Sequence, residues 1–426
     1  MKYLIIGTGL SGNLGAQAMV QSTIEYINKR DPEAKTHLLS FNAASDRELA
    51  SQIGLNIEIH HLKLLLWISQ IYFSFFFYLL GLRPFAQFFL GDLYDKYNQS
   101  DYILEITGIS FNDHQGIATS VKHLAWIIPG MIAGKMSKYI KLSQAAGPFE
   151  KFFNRRIAKY AFNKLDHFRA RGLESLEKVL SLSPKFKEKD FIYAPDLSFL
   201  LEPCSKLEAE ALMQEEGFML DESMKYVGVS PNLVQLDFIG ENGMKLLYDE
   251  VAQMLNYLIN QGYEIVFIPH SYLRTENSKS IEKKLMGLSR MLMDDAIFIQ
   301  EVHERIIDKQ KTHKLLKNKF AYQTKGIFKL MDFNIVMRFH SMIGSLGAGI
   351  SCFVISWSHK YTEVMREFDL EKYVIDAKDF SFLKYKKLLD EFISIHVEKK
   401  VKVEESLVKV KEMSKLNFNI IASENN

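Results

Sequence analysis

Cysteine is scarce in this chain of 426 residues: there are two, Cys204 and Cys352, far apart and without a C-x-x-C partner. That excludes a disulfide framework and a thiolate zinc site, and it suits a reducing cytoplasm. An excess of one charge sign is lacking too. The 53 Lys and Arg balance 51 Asp and Glu, leaving a net charge of +2, so no electrostatic argument favours a nucleic-acid partner. No internal repeat or low-complexity tract stands out. What is present is 47% apolar and 24% charged residues, close to the average for a folded protein, which excludes disordered and fibrous chains. The length points to roughly two to three domains of about 150 residues each.

The amino terminus imitates a secretory signal, with Lys2, an apolar run Leu4 to Leu10, and Ala16-Gln17-Ala18. Gly7, Gly9 and Gly12 interrupt that run, and a short strand (Tyr3 to Ile6) turning into a helix (about Gly15 to Lys29) accounts for them better. Similar short apolar bursts follow at His37 to Phe41, Tyr102 to Ile106, Tyr139 to Leu142 and Phe191 to Tyr193, as in a parallel sheet. The second half starts afresh with Val227 to Ser230, Glu264 to Ile268, Ala296 to Gln300, Ile335 to Met337 and Cys352 to Ser356. Amphipathic stretches at Gly243 to Gln261 and Lys279 to Met293 lie between them. The expectation is α/β, with two Rossmann-like doubly wound domains facing a cleft. A boundary near Pro203 to Leu207 gives domains 1–204 and 205–390, followed by a charged carboxyl-terminal helix and tail, 391–426, that frays after about Asn417.

Leu64 to Leu82 contains no charged residue and is bracketed by Lys63 and Arg83. By length and composition it is a membrane-span candidate. A single crossing would separate the first two strands from those they pair with. Two readings remain: a hairpin lying on a membrane surface with Phe85 to Leu90 as its second limb, and a helix buried under the sheet or in an oligomer interface.

Gly7-x-Gly9-x-x-Gly12 follows a strand and opens a helix, but the second strand ends Leu39-Ser40-Phe41-Asn42 without the carboxylate that a dinucleotide ribose needs. Bare backbone at Gly12-Asn13-Leu14-Gly15 can instead approach a sugar or an anion. The sharpest local signal is Met337-Arg338-Phe339-His340-Ser341-Met342-Ile343-Gly344. It sets a guanidinium and an imidazole at a strand's carboxyl end, where open α/β sheets bind ligands, and Lys360 returns to the same rim after the next strand. No metal constellation appears: His60-His61, Asp294-Asp295 and His303 read as solvated surface groups.

Together with Gln144-Ala145-Ala146-Gly147-Pro148-Phe149, Arg171-Gly172-Leu173-Glu174-Ser175, Ala194-Pro195-Asp196, Val227-Gly228-Val229-Ser230-Pro231 and Ile268-Pro269-His270, these segments make the chain resemble the polysaccharide pyruvyl transferase family. The resemblance implies an architecture similar to GT-B glycosyltransferases, with the first domain on the acceptor side and the second on the phosphoenolpyruvate side. It also implies transfer of a pyruvyl group from phosphoenolpyruvate to two hydroxyls of one sugar, giving a cyclic ketal and phosphate without a further cofactor. The chain departs from the family where Gly172 stands in place of an acidic residue, leaving Arg171 without a neighbour to orient it. It departs again where Ile106-Thr107-Gly108-Ile109-Ser110 replaces a glycine run.

Phosphoenolpyruvate is a small polyanion, which calls for several fixed cations. As carried over from the family, Arg171, His340 and Lys360 hold it, with Arg338 as a fourth candidate. His340 is also the favoured acid/base, since imidazole titrates near neutrality. Asp113 and His114 are candidates for activating or orienting the acceptor hydroxyls. Asn13, Gln144 and His270 could line the acceptor side, His270 equally serving as a structural loop residue. The expected partners are a sugar or lipid-linked oligosaccharide and, through 64–90, the inner face of the cell membrane. A GT-B nucleotide-sugar glycosyltransferase and a non-catalytic sugar- or anion-binding protein remain as alternatives.

Overall fold

The computed structural model describes residues 1–113, 116–271, 295–356 and 360–423. His114 and the stretch Lys279 to Met293 lie outside them. The chain forms two compact units. The first takes in Met1–Gly12, Ala16–Leu200 and the carboxyl-terminal residues from Glu412; the second takes in Asn13–Gly15 and Leu201–Lys411.

The first unit is built on β1 (Lys2–Ile6), β2 (Lys35–Ser40), β3 (Glu58–His61), β4 (Tyr102–Glu105), β5 (Ile109–Ser110), β6 (Tyr139–Ala146), β7 (His167–Ala170) and β8 (Asp190–Tyr193). The sheet order is β3-β2-β1-β4-β6-β7-β8, with β5 beside β6, and the pairings are parallel. A parallel sheet is covered on both faces, so its inner strands are buried along their length, as β4 is. Buried charges interrupt this rule, and two of them pair: Lys141 of β6 donates to Glu105 of β4, which also accepts from the Tyr139 hydroxyl at 2.6 Å.

The second unit carries β9 (Lys225–Ser230), β10 (Tyr263–Phe267), β11 (Thr312–Lys314), β12 (Phe333–Val336), β13 (Cys352–Ser356) and β14 (Val374–Asp376). Its parallel order is β11-β10-β9-β12-β13-β14. In both units the chain winds outward for three strands and then returns to the other side of the first. This creates a switch point between β1 and β4 and another between β9 and β12, where the loops diverge and leave room for a ligand.

Three expectations are corrected. Ala296 to Gln300 is not a strand; it lies in the helix Asp295–Glu304. Phe298, Ile299 and Val302 are buried there while Ile297 is exposed, a helical spacing that a five-residue window cannot reveal. Asp295, read as a solvated surface group, is fully buried. The tail does not fray at Asn417: after the helix Phe382–Ser414 the chain makes a tight turn, Lys415–Phe418, and a last helix, Asn419–Ser423. Arg169 holds it by donating to the Leu416 carbonyl at 3.2 Å and to Asn419 Oδ1 at 2.8 Å, while the Phe418 ring stacks on Tyr26 with centroids 4.2 Å apart. A long-range anchor of this kind leaves no trace in local composition.

The apolar insertion is buried on one face and exposed on the other. Helices Leu64–Leu79 and Arg83–Leu90 form a hairpin around Gly81, whose φ of +77° suits glycine. One face enters the core through Trp67, Ile71, Ala86 and Leu90, with Trp67 packed on Trp126. The other face leaves Phe76 56% exposed and Phe88 77% exposed. Among the described residues no helix is long and apolar enough to cross a membrane.

Candidate functional site

In the second unit, the loops leaving β9, β10 and β12 meet on one carboxylate. Arg338, two residues beyond β12, grips Asp295 with a two-pronged fork: Nε to Oδ2 at 2.8 Å and Nη2 to Oδ1 at 2.6 Å. Asp295 also accepts the backbone N–H groups of His270 (3.1 Å) and Ser271 (3.0 Å) after β10, and that of Leu233 (3.4 Å) after β9. Burial pushes the Asp295 carboxyl above the ordinary range, and the guanidinium and the backbone donors pull it back. The fork geometry is that of a carboxylate facing a guanidinium, so the pair is ionic. Sequence reasoning missed Asp295, because nothing in its neighbourhood distinguishes it from the adjacent Asp294.

This clamp holds the loop that carries His340. Its half-buried imidazole stands edge-on to Phe339 at 5.4 Å and begins the helix Phe339–Gly347. The Lys360 ammonium lies 5.2 Å from the centre of the same Phe339 ring. Phe339 is thus the apolar body around which the guanidinium loop, the imidazole and the ammonium are arranged. The helix start adds the positive end of its dipole, which favours an anion. Asn13–Gly15 group with this unit, and a Cβ on Gly15 would fall 2.2 Å from His340 Nδ1, so glycine there is the condition for the imidazole's position. Gly228 of β9 answers to Asn334 in the same way, at 2.0 Å.

In the first unit, Arg171 follows β7 and is buried, its Nη1 3.2 Å from Asp196 Oδ2. The acid missing after the arginine is therefore supplied by Ala194-Pro195-Asp196, from elsewhere in the sequence rather than from the neighbouring residue. Asp196 is kept in place by the Ser198 N–H at 2.9 Å and the Ser198 hydroxyl. Gln144 lies beside Arg171: its carbonyl accepts the Arg171 N–H at 3.2 Å, and its side-chain amide donates to the Glu105 carbonyl at 3.0 Å. The strand bends there, with Ser143 at a φ of +47° and a break in register between Lys141 and Gln144, a device that re-aims side chains beside ligand sites.

Asp113 takes a different place. Its oxygens accept from the N–H groups of Glu150 (2.7 Å) and Lys151 (3.3 Å) and from Asn154 Nδ2 (2.6 Å), so it fastens the loop after β6. In the glycine pattern near β1, a Cβ on Gly9 would stand 2.3 Å from Asp46 Oδ2, and Asp46 accepts the Ser11 N–H at 2.7 Å. The second glycine thus makes room for a carboxylate rather than for a phosphate. The structure brings Arg338, His340, Lys360, His270 and Asn13 into one unit, and Arg171, Gln144 and Asp113 into the other.

A family model described as polysaccharide pyruvyl transferase matches residues 13–359, most of the chain. The chain belongs to the polysaccharide pyruvyl transferase family. The match takes in Asn13-Leu14-Gly15, Arg171, Asp196, Arg338 and His340, the residues whose geometry is given above, and stops one residue short of Lys360. No curated protein matches the chain significantly. Solved structures similar in fold include HepE from Anabaena in complex with UDP-glucose, at 12% identity and TM-score 0.58, covering 99% of this chain and 100% of that one. The UDP-GlcNAc 2-epimerase of Neisseria meningitidis, bound to UDP-GlcNAc, is similar at 10% identity and TM-score 0.58, with the same coverage. The trehalose-6-phosphate synthase OtsA is similar at 10% identity and TM-score 0.55, covering 99% and 98%. At such identities the likeness concerns the fold, two parallel-sheet α/β domains similar to those of GT-B glycosyltransferases.

Proposed function

We propose that the protein transfers a pyruvyl group from phosphoenolpyruvate to two hydroxyls of one sugar in a surface-polysaccharide precursor, forming a cyclic ketal and releasing phosphate. The observation that supports this most lies at the second unit's switch point, where the His340 imidazole and the Lys360 ammonium stand beside Phe339 and the preceding residue, Arg338, is clamped by Asp295. Lys360 and the start of the helix Phe339–Gly347 attract the donor's negative charge. Arg338 orients the loop through Asp295, and its Nη1 remains outside that fork for a donor oxygen. Arg171, oriented by Asp196, adds a second planar fork for carboxylate or phosphate.

Imidazolium at His340 gives its proton to the methylene carbon of the donor, which makes C2 electrophilic. The first sugar hydroxyl bonds to C2, and its proton returns to the imidazole. The C2–O bond to phosphate then breaks, and the second hydroxyl closes the ring as its proton leaves with the phosphate. The acceptor's hydroxyls are oriented by Asn13, Gln144 and His270. If the acceptor is lipid-linked, the exposed side of the 64–90 hairpin keeps the enzyme at the inner face of the membrane, with Lys63 and Arg83 beside anionic headgroups.

The test is mass spectrometry of products and release of phosphate with phosphoenolpyruvate and a panel of free or lipid-linked β-galactosides. The expected product carries a pyruvate ketal, and His340→Ala and Arg171→Ala each abolish phosphate release while remaining folded. Near-normal turnover in both variants rejects the site. Release of a nucleotide from a sugar nucleotide in place of phosphate identifies a glycosyltransferase instead.

A further inference from the structure

The sequence reading found no ligand set on a plausible scaffold around His60-His61 and took them as solvated surface groups. Parallel pairing of β3 with β2 sets His37 beside Glu58 and Leu39 beside His60, so that His37, Glu58 and His60 share one face at the sheet's edge. Their polar atoms converge. His37 Nδ1 lies 3.0 Å from His60 Nε2, His37 Nδ1 lies 3.4 Å from one Glu58 oxygen, and His60 Nε2 lies 3.3 Å from the other. Donor atoms bound at about 2.0–2.1 Å around a tetrahedral ion stand roughly 3.3–3.4 Å apart, and the two His–Glu spacings, each to a different carboxylate oxygen, are close to that.

From this juxtaposition we propose that His37, Glu58 and His60 form a binding site for a divalent transition-metal ion of the zinc class, separate from the residues assigned to pyruvyl transfer. Two nitrogens and one carboxylate oxygen form a borderline donor set that suits such an ion better than magnesium or calcium, which prefer oxygen. The three residues line a pocket of about 350 Å³, open enough for a water or an exogenous ligand in the fourth position. Asp92 and Asp95 line the same pocket and add negative charge against Lys2 and Lys96. The His37 and His60 rings are nearly parallel, 11° apart.

The experiment titrates the metal-free full-length chain with Co2+, followed by its visible absorption, and then displaces Co2+ with Zn2+ while thermal unfolding is monitored. One equivalent should bind with a four-coordinate spectrum and raise the Tm. His37→Gln, His60→Gln and Glu58→Gln should each weaken binding at least tenfold to a hundredfold, the loss that even an outer partner's removal causes. His61→Gln, on the opposite face, should bind as the parent does. Circular dichroism of each variant separates lost binding from lost fold, and the Gln substitutions keep hydrogen-bonding capacity. Absence of a stoichiometric site in the parent chain, or a site that survives in all three folded variants, overturns the proposal. Phosphate release in these variants is a separate readout and leaves the pyruvyl-transfer reading untouched.

Discussion

Asp295→Asn is the substitution that most directly measures the clamp beneath the catalytic loop. The change is nearly isosteric, so it opens no cavity, but it removes the charge that compensates Arg338. Asp295 is fully buried and the Arg338 side chain 15% exposed. Breaking a buried ion pair from one side costs about 3–5 kcal/mol, and the residual exposure of Arg338 places the cost at the lower end. The new amide group, turned toward the His270 and Ser271 N–H groups, opposes donor to donor and adds about 1 kcal/mol. The expected loss is therefore about 3–4 kcal/mol, a fall in the second unit's Tm of roughly 6–16 °C. Urea unfolding of Asp295→Asn, Arg338→Met and the double variant gives the coupling, which should exceed about 1.5 kcal/mol because the double variant leaves no orphaned charge. A single-variant loss below about 1 kcal/mol, or strict additivity, would falsify the clamp.

Gly15→Ala places a methyl group on the His340 ring; a displacement of about 1 Å should lower kcat roughly 100-fold, read as phosphate release, with a smaller change in the KM for phosphoenolpyruvate. Lys141→Met should destabilise the first unit by about 3–5 kcal/mol, whereas Glu105→Gln with Lys141→Met should recover most of it in chemical denaturation. For Asp190, burial raises the carboxyl pKa, but hydrogen bonds from His167 and Arg169 outweigh it and hold the group below the ordinary range. Its stabilisation is thus complete above about pH 4 and is lost as the pH falls through the folded-state value, so Asp190→Asn should flatten the acid limb of a urea-midpoint profile. Phe76→Ser with Phe88→Ser, both on the hairpin's exposed side, should reduce partitioning onto anionic vesicles at least about tenfold with little change in Tm; unaltered flotation refutes membrane contact.

Most inner strands were legible because a strand covered on both faces announces itself as an apolar burst, as in Tyr102 to Ile106 and Val227 to Ser230, and the edge strand Asp190–Tyr193 was legible through Phe191 to Tyr193. The short strands Glu58–His61, His167–Ala170 and Thr312–Lys314 were not: they mix polar and charged residues, and only their pairing partners identify them. The helix Asp295–Glu304 failed for a related reason, since a short apolar run has the same composition in either conformation. At the site, Arg338, His340 and Lys360 were readable as side chains at strand ends. The carboxylates that hold Arg338 and Arg171 were invisible, because Asp295 and Asp196 act at separations of 43 and 25 residues.

Those partners change what the glycine motifs mean. A glycine beside a strand end is ordinarily read as a backbone that approaches a ligand, and Gly9, Gly15 and Gly228 invite that reading. Each instead yields space to a polar side chain arriving from elsewhere: Asp46, His340 and Asn334. The glycine is needed where two parts of the chain meet at van der Waals limits, and the functional group is the one that arrives. For Gly15 the arriving group is the imidazole proposed for proton transfer, so on that proposal Gly15 helps set where the proton is delivered. The same logic makes Arg338 more valuable as a tether than as a free cation: with Nε and Nη2 engaged by Asp295, it cannot swing, and the His340 backbone two residues on inherits that rigidity.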